Sequence, residues 1–366
     1  MTRRWLRWLP AAAVPAMIAA GVLTGSLPAS AGDPLPDKSP EQVLALIAQH
    51  RGQALSGTLE QSSNVGLPEL PAGPGAGTGD SAWLELLTGP HTARVYLDGP
   101  DNARIQVMDR LAERNAIRHG NELWFYNSKD NTAAHAQLPA GAAGRHQAGK
   151  GFMATPEELA AKLLAKLDAS TDVTVRSDDQ VAGRPAYQLL LTPRSTATLV
   201  ASIAIAVDGQ SGLPLGVEVK ARGQSDPAFR LAFTSLKLEA PDASLFQFTP
   251  PPGATVKEIP VPEHKGDGTT PPSDTGSKDA RRHSVIGTGW ESVIELQAPA
   301  GKSSAGAALP GESASGAAGL LQQATVPVSG GRLLSTALVN VLILDDGRIF
   351  AGSVPLERLQ AAAAQR

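Results

Sequence analysis

The feature that most constrains this chain is a rhythm. Apolar residues recur at every second position in short runs, and turn chemistry cuts the runs roughly every ten residues. The runs at 83–87, 92–97, 103–108, 114–118, 122–126 and 133–138 are separated by Gly89-Pro90, Gly99-Pro100, Gly120-Asn121 and Lys129-Asp130-Asn131. A second series runs at 173–176, 186–191, 199–207, 214–221 and 229–239, with Asp208-Gly209 as a tight turn inside it. Period two with short connections means antiparallel pairing, because a parallel crossover needs a dozen residues or more. The pattern predicts a mainly β (α+β) chain: one large, strongly curved antiparallel sheet with a few helices on its inner, concave face.

Two helices interrupt the rhythm, and both open the same way. Ser39 is an N-cap, Pro40 sits at the first helical position, and Gln42 closes a capping box; Val43, Leu44, Leu46 and Ile47 form the apolar stripe up to Gly52. Thr155, Pro156, Glu157 and Glu158 repeat that logic ahead of Leu159, Leu163, Leu164 and Leu167.

Beyond Pro250-Pro251-Pro252-Gly253 the chain changes character. Residues 263–284 read as a polar linker, and 285–366 as a C-terminal extension. In the extension, 285–296 reads as a strand containing Trp290, and 299–319 is an Ala/Gly/Ser-rich loop. A hairpin then forms from 338–344 and 348–354 around Asp346-Gly347, and a short helix closes the chain at 356–364. Residues 32–262 form the main domain.

The first 31 residues read as a targeting segment. Arg3, Arg4 and Arg7 precede a charge-free apolar run, and Ala29-Ser30-Ala31 offers a cleavage site before Gly32. The competing reading is a retained anchor, against which Pro10 and Pro15 interrupt the run. Either way the chain is expected to be extracytoplasmic: secreted, periplasmic or membrane-associated. An exported chain without a single cysteine draws its stability from a core rather than from disulfides. The same absence excludes a cysteine nucleophile, a zinc ribbon, an iron–sulfur site and lipidation at an N-terminal cysteine. A net charge of −3 provides no basic field for nucleic acid.

Catalytic constellations are missing. None of the seven histidines forms an H-x-H or H-E-x-x-H pair. Gly311-Glu312-Ser313-Ala314-Ser315 begins like a nucleophile elbow but lacks the closing glycine and lies in the low-complexity loop. The alternating Gly73, Gly75, Gly77 and Gly79 neither follow a clear strand nor open a helix. Asp178-Asp179 and Asp345-Asp346 read as turn residues. The expectation is a non-enzyme with no metal and no cofactor, and a monomer.

Three motifs say more than their periodicity. Gly183-Arg184-Pro185-Ala186-Tyr187-Gln188-Leu189 runs into Leu191-Thr192-Pro193; Asp208-Gly209-Gln210-Ser211-Gly212-Leu213-Pro214-Leu215 follows; and Phe246-Gln247-Phe248-Thr249-Pro250-Pro251-Pro252-Gly253-Ala254 ends the block. In this order they resemble the LolA/LolB–RseB superfamily of periplasmic lipoprotein-carrier-like proteins, over residues 33–258. The resemblance implies a half-closed barrel whose apolar concavity holds acyl chains of lipoproteins or lipids under a helical lid. The alternative within the same resemblance is an RseB-like sensor that contacts a membrane signalling partner; residues 285–366 lie outside the resemblance, and their extra strands make them the expected place for such a contact.

The residues assigned to the concavity are Leu84, Leu86, Val95, Leu97, Ile105, Val107, Leu123, Phe125, Ile203, Ile205, Leu231 and Phe233, with Trp83, Trp124 and Tyr126 at its mouth. A strand's apolar face reads the same whether it lines a cavity or packs as filled core, so both readings stand at this point.

Overall fold

The computed structural model describes residues 35–66, 89–109, 112–139, 154–260, 283–297 and 324–365. The targeting segment, nearly all of the polar linker, the 299–319 loop, and Trp83, Leu84 and Leu86 lie outside the described residues.

Both anticipated helices form where their caps place them. Helix α1 spans Pro40–Gln49 and α2 spans Pro156–Leu164, each with a reciprocal capping box, Ser39 with Gln42 and Thr155 with Glu158. Each box satisfies two backbone amides that the first turn would otherwise leave unpaired.

The strands follow the rhythm. They are β1 (Leu55–Ser63), β2 (His91–Asp98), β3 (Asn102–Met108), β4 (Glu113–His119), β5 (Glu122–Asn127) and β6 (Thr132–Gln137), then β7 (Thr171–Val181), β8 (Arg184–Pro193), β9 (Val200–Asp208), β10 (Pro214–Ala221), β11 (Phe229–Lys237) and β12 (Thr255–Glu258). They make one twelve-stranded open sheet in the order β12-β6-β5-β4-β3-β2-β1-β11-β10-β9-β8-β7. Two meanders thus join where β1 pairs with β11. All pairs but one are antiparallel. The exception is β12, which the periodicity did not reveal and which lies parallel to β6 at the edge.

A second sheet has six strands: β13 (His283–Ile286), β14 (Val293–Gln297), β15 (Thr325–Val328), β16 (Gly331–Ser335), β17 (Asn340–Leu344) and β18 (Arg348–Gly352), in the order β13-β14-β18-β17-β16-β15. The expected single strand at 285–296 is in fact a hairpin. Gly287 and Gly289 adopt positive φ, and a single 3-10 turn at Gly289–Glu291 holds Trp290 between β13 and β14. Helix α3 (Leu356–Ala364) closes the chain on this sheet.

The two sheets share an interface. Trp290 and Leu338 reach the core beneath α1 and α2, and the Trp290 indole donates to Thr171 Oγ1 at 2.8 Å. Ser195 donates to Glu291, Thr198 Oγ1 donates to the Ser353 carbonyl at 2.7 Å, and the amides of Leu199 and Ala337 donate to the carbonyls of Ser353 and Val65.

Candidate functional site

Cross-strand partners share a face of a sheet, so the register assigns every side chain. On the large sheet one face carries Leu55 and Leu59 on β1, Val95 and Leu97 on β2, and Ile105 and Val107 on β3. Leu123 and Phe125 on β5 continue it, as do Leu231 and Phe233 on β11 and Ile203 and Ile205 on β9. Ten of the residues assigned from sequence are therefore brought onto one continuous face.

The structure corrects the placement of Trp124 and Tyr126. Leu123, Trp124, Phe125 and Tyr126 are consecutive in β5, and alternate residues of a strand point to opposite sides. Trp124 pairs with Ile117 and His135, and Tyr126 with Asn115 and Ala133, so both project from the other face. There Trp124 stacks on His135 with ring centroids 4.2 Å apart, and Phe248 packs against both Trp124 and Tyr126. They hold the Phe246–Phe248 segment on the back of the sheet and are no part of the apolar face.

Helices α1 and α2 lie over the first face, against β7, β8 and β10. Val43 and Ala160 pack with Tyr187, Leu189, Leu191, Ile203, Ile205, Val207 and Val217, and Leu159 of α2 touches the β1–β3 part of the core as well. Under the helices the face is filled core: Ile205 and Val217 are fully buried. Farther along, Leu97 and Phe125 are half-buried. At β4 the face changes chemistry. Arg114 and Arg118 flank Ala116 there, and ion pairs with Asp109 (3.0 Å) and Asp101 (2.9 Å) neutralise them. Charges on the lid side of the sheet were not anticipated from the sequence. Their signal was the alternation of Arg114, Ala116 and Arg118, in phase with Ile105 and Val107.

Two of the three sequence motifs meet in one turn. Arg184 donates to both carboxylate oxygens of Asp208 at 2.7 and 3.0 Å, and Ser211 donates to Asp208 through its amide and its hydroxyl. Burial alone would push the Asp208 carboxyl up. The bonds from Arg184 and Ser211 outweigh that and hold it below the usual carboxylate range. The Tyr187 hydroxyl donates to the Pro36 carbonyl at 2.8 Å, and Gly212, at positive φ, leaves room for the Leu46 carbonyl. These motifs anchor α1 and its lead-in to the sheet.

The second sheet offers another apolar face, which sequence reasoning missed. One side packs under α3, where Val293, Leu342, Phe350 and Leu359 are buried. The other carries Val285, Ile294 and Leu296, then Ala351 and Ile349, then Val341 and Ile343, then Leu334, in register across five strands. Val285 is 59% exposed and Ile294 43%. The alternation was present in the sequence, but only the pairing order shows that these residues share one side.

Among the described residues no group of three or more His, Asp or Glu could hold a metal ion, and no helix is long and apolar enough to cross a membrane. A void of about 100 Å³ beneath β7 is lined largely by polar side chains, including Asp179, Gln188, Glu218 and Arg230.

The described residues thus form an open, mainly antiparallel sheet with two helices laid on one face, the arrangement expected from the sequence. No family model matches the sequence, and no curated protein matches it. Among solved structures, this chain is similar to one from the MucA/MucB complex of Pseudomonas aeruginosa, at 18% identity over 88% of this chain and 96% of that chain, with a TM-score of 0.41. It is also similar to a LolA superfamily protein from Nitrosomonas europaea, at 10% identity over 58% of this chain and 99% of that chain, with a TM-score of 0.24. These are likenesses of fold.

Proposed function

We propose that this protein is an extracytoplasmic, non-catalytic binding protein that engages a membrane-anchored protein partner through the open face of its second sheet. The observation that carries this reading is the in-register row of apolar side chains in which Val285 and Ile294 are exposed and Leu296, Ile349, Val341, Ile343 and Leu334 are half-buried. Soluble proteins rarely leave such a patch to water unless something binds it. It accords with the RseB-type expectation that partner contact falls within residues 285–366. Photo-crosslinking in cells tests it. A benzophenone amino acid at Ile294 is expected to capture one membrane protein reproducibly, whereas the same group at Lys237, on the polar back of the large sheet, captures none. Absence of a specific product at Ile294 would overturn the proposal.

A second reading is that the large sheet carries an acyl chain. The half-buried Leu97 and Phe125, away from the helices, favour it. Burying a chain there would contribute about 0.8 kcal/mol per CH₂. Native mass spectrometry before and after organic extraction checks it: an extractable lipid mass supports the reading, and bare protein that takes up no added fatty acid removes it.

A further inference from the structure

The two helices over the large sheet meet at His50, the residue that ends α1. Its side chain is 5% exposed. Nδ1 lies 3.0 Å from the Ser211 carbonyl oxygen in the β9–β10 turn. A carbonyl can only accept, so Nδ1 carries the proton. In the neutral ring Nε2 is therefore a bare lone pair. It is buried and has no hydrogen-bond partner. It faces the Glu157 carboxylate of α2 at 4.0 Å, so two acceptors confront each other across the helix junction.

We infer that His50 is a proton-operated latch between α1 and α2. When the ring is protonated, Nε2 becomes a donor aimed at Glu157 while Nδ1 keeps its bond to Ser211, and one cation then ties α1, the β9–β10 turn and α2 together. Imidazole is the side chain whose charge changes nearest neutrality, which makes it the ordinary pH-sensitive group of proteins. The other charges around the ring do not compete for this role. Asp208, behind Ser211, is already paired with Arg184; Glu158 is bonded back to the Thr155 amide; and Arg51, next in the chain, is exposed. Glu157 is 43% exposed and can swing toward the ring without losing its own hydration. Nothing in this device depends on what either apolar face binds.

Amide hydrogen exchange of α1 in the whole protein, at pH 7.5 and 5.5 and scaled for intrinsic rates, tests the latch. In the wild type the scaled protection of peptides covering 40–49 is expected to rise about three- to fivefold on acidification, the size of a partly exposed ion pair. In Glu157→Gln, isosteric and partly exposed, the rise should vanish. In His50→Asn, whose amide can still donate to Ser211, it should vanish as well. A rise that survives in both variants, no rise in the wild type, or a loss of protection at low pH would each overturn the proposal. Circular dichroism confirms that the variants are folded.

Discussion

The two sheets treat their faces differently. The large sheet has one face under α1 and α2 and a second that is largely polar, so its apolar residues are spent on its own core. The small sheet has one face under α3, and its second face is apolar as well, apart from His283, Thr325 and Arg332 toward its edges. A sheet needs one buried face to be stable. A second apolar face adds nothing to folding in isolation. On the function proposed above it serves recognition, so that stability and binding are separated by side on the small sheet, while on the large sheet they would compete for the same residues.

The largest effect expected from probing this contrast is on the packed side of the small sheet. Phe350→Ala empties a fully buried site and should cost about 3–5 kcal/mol, read as a drop in denaturation midpoint. Similar in size is Arg184→Ala on the large sheet. It strands the 1%-exposed Asp208 without its ion partner, for about 3–5 kcal/mol.

The pH dependence at this pair has a definite sign. Asp208 titrates lower in the folded chain than when unfolded, so its contribution is present above the unfolded value of about 3.9 and is lost as pH falls through the folded value. The Arg184 variant should lose most of that acid-limb dependence in a series of unfolding curves.

Smaller is Trp290→Phe, which removes the indole bond to Thr171 between the sheets. About 1 kcal/mol is expected, with the two sheets beginning to melt apart by calorimetry. Smallest is Ile294→Ser on the open face. Stability should move by no more than about 0.5 kcal/mol while crosslinking to the partner from a benzophenone amino acid placed at Val285 is lost. A large destabilisation there would mean that this face is core after all and would erase the contrast.

Much of this was legible. Ser39-Pro40 and Thr155-Pro156 announce their helices because capping is local chemistry. Gly99-Pro100, Gly120-Asn121 and Asp208-Gly209 announce turns for the same reason. The apolar face could be read from alternation alone, but in β5 the alternation was overridden. Four consecutive large apolar residues look like one surface, and only the pleat separates Leu123 and Phe125 from Trp124 and Tyr126. β12 was hidden because a parallel edge strand of four exposed residues has no burial pattern to show. The open face of the small sheet was hidden because its members come from five strands whose order in space differs from their order in the chain. The Arg184–Asp208 pair lay inside two of the recognised motifs. What those motifs contribute is long-range anchoring, invisible to a reading that treats each as a separate hairpin.

The parallel strand β12 also bears on how copies of this chain behave when crowded. An open sheet ends in bare backbone amides and carbonyls, a template on which a second molecule could extend the ladder. β12 covers the β6 end with only four residues, two of them the charged Lys257 and Glu258, and after Ile259, whose amide still bonds to His135, comes Pro260, which has no amide proton to offer. A short edge strand carrying two charges and followed by a proline is a poor template for the backbone of a second molecule.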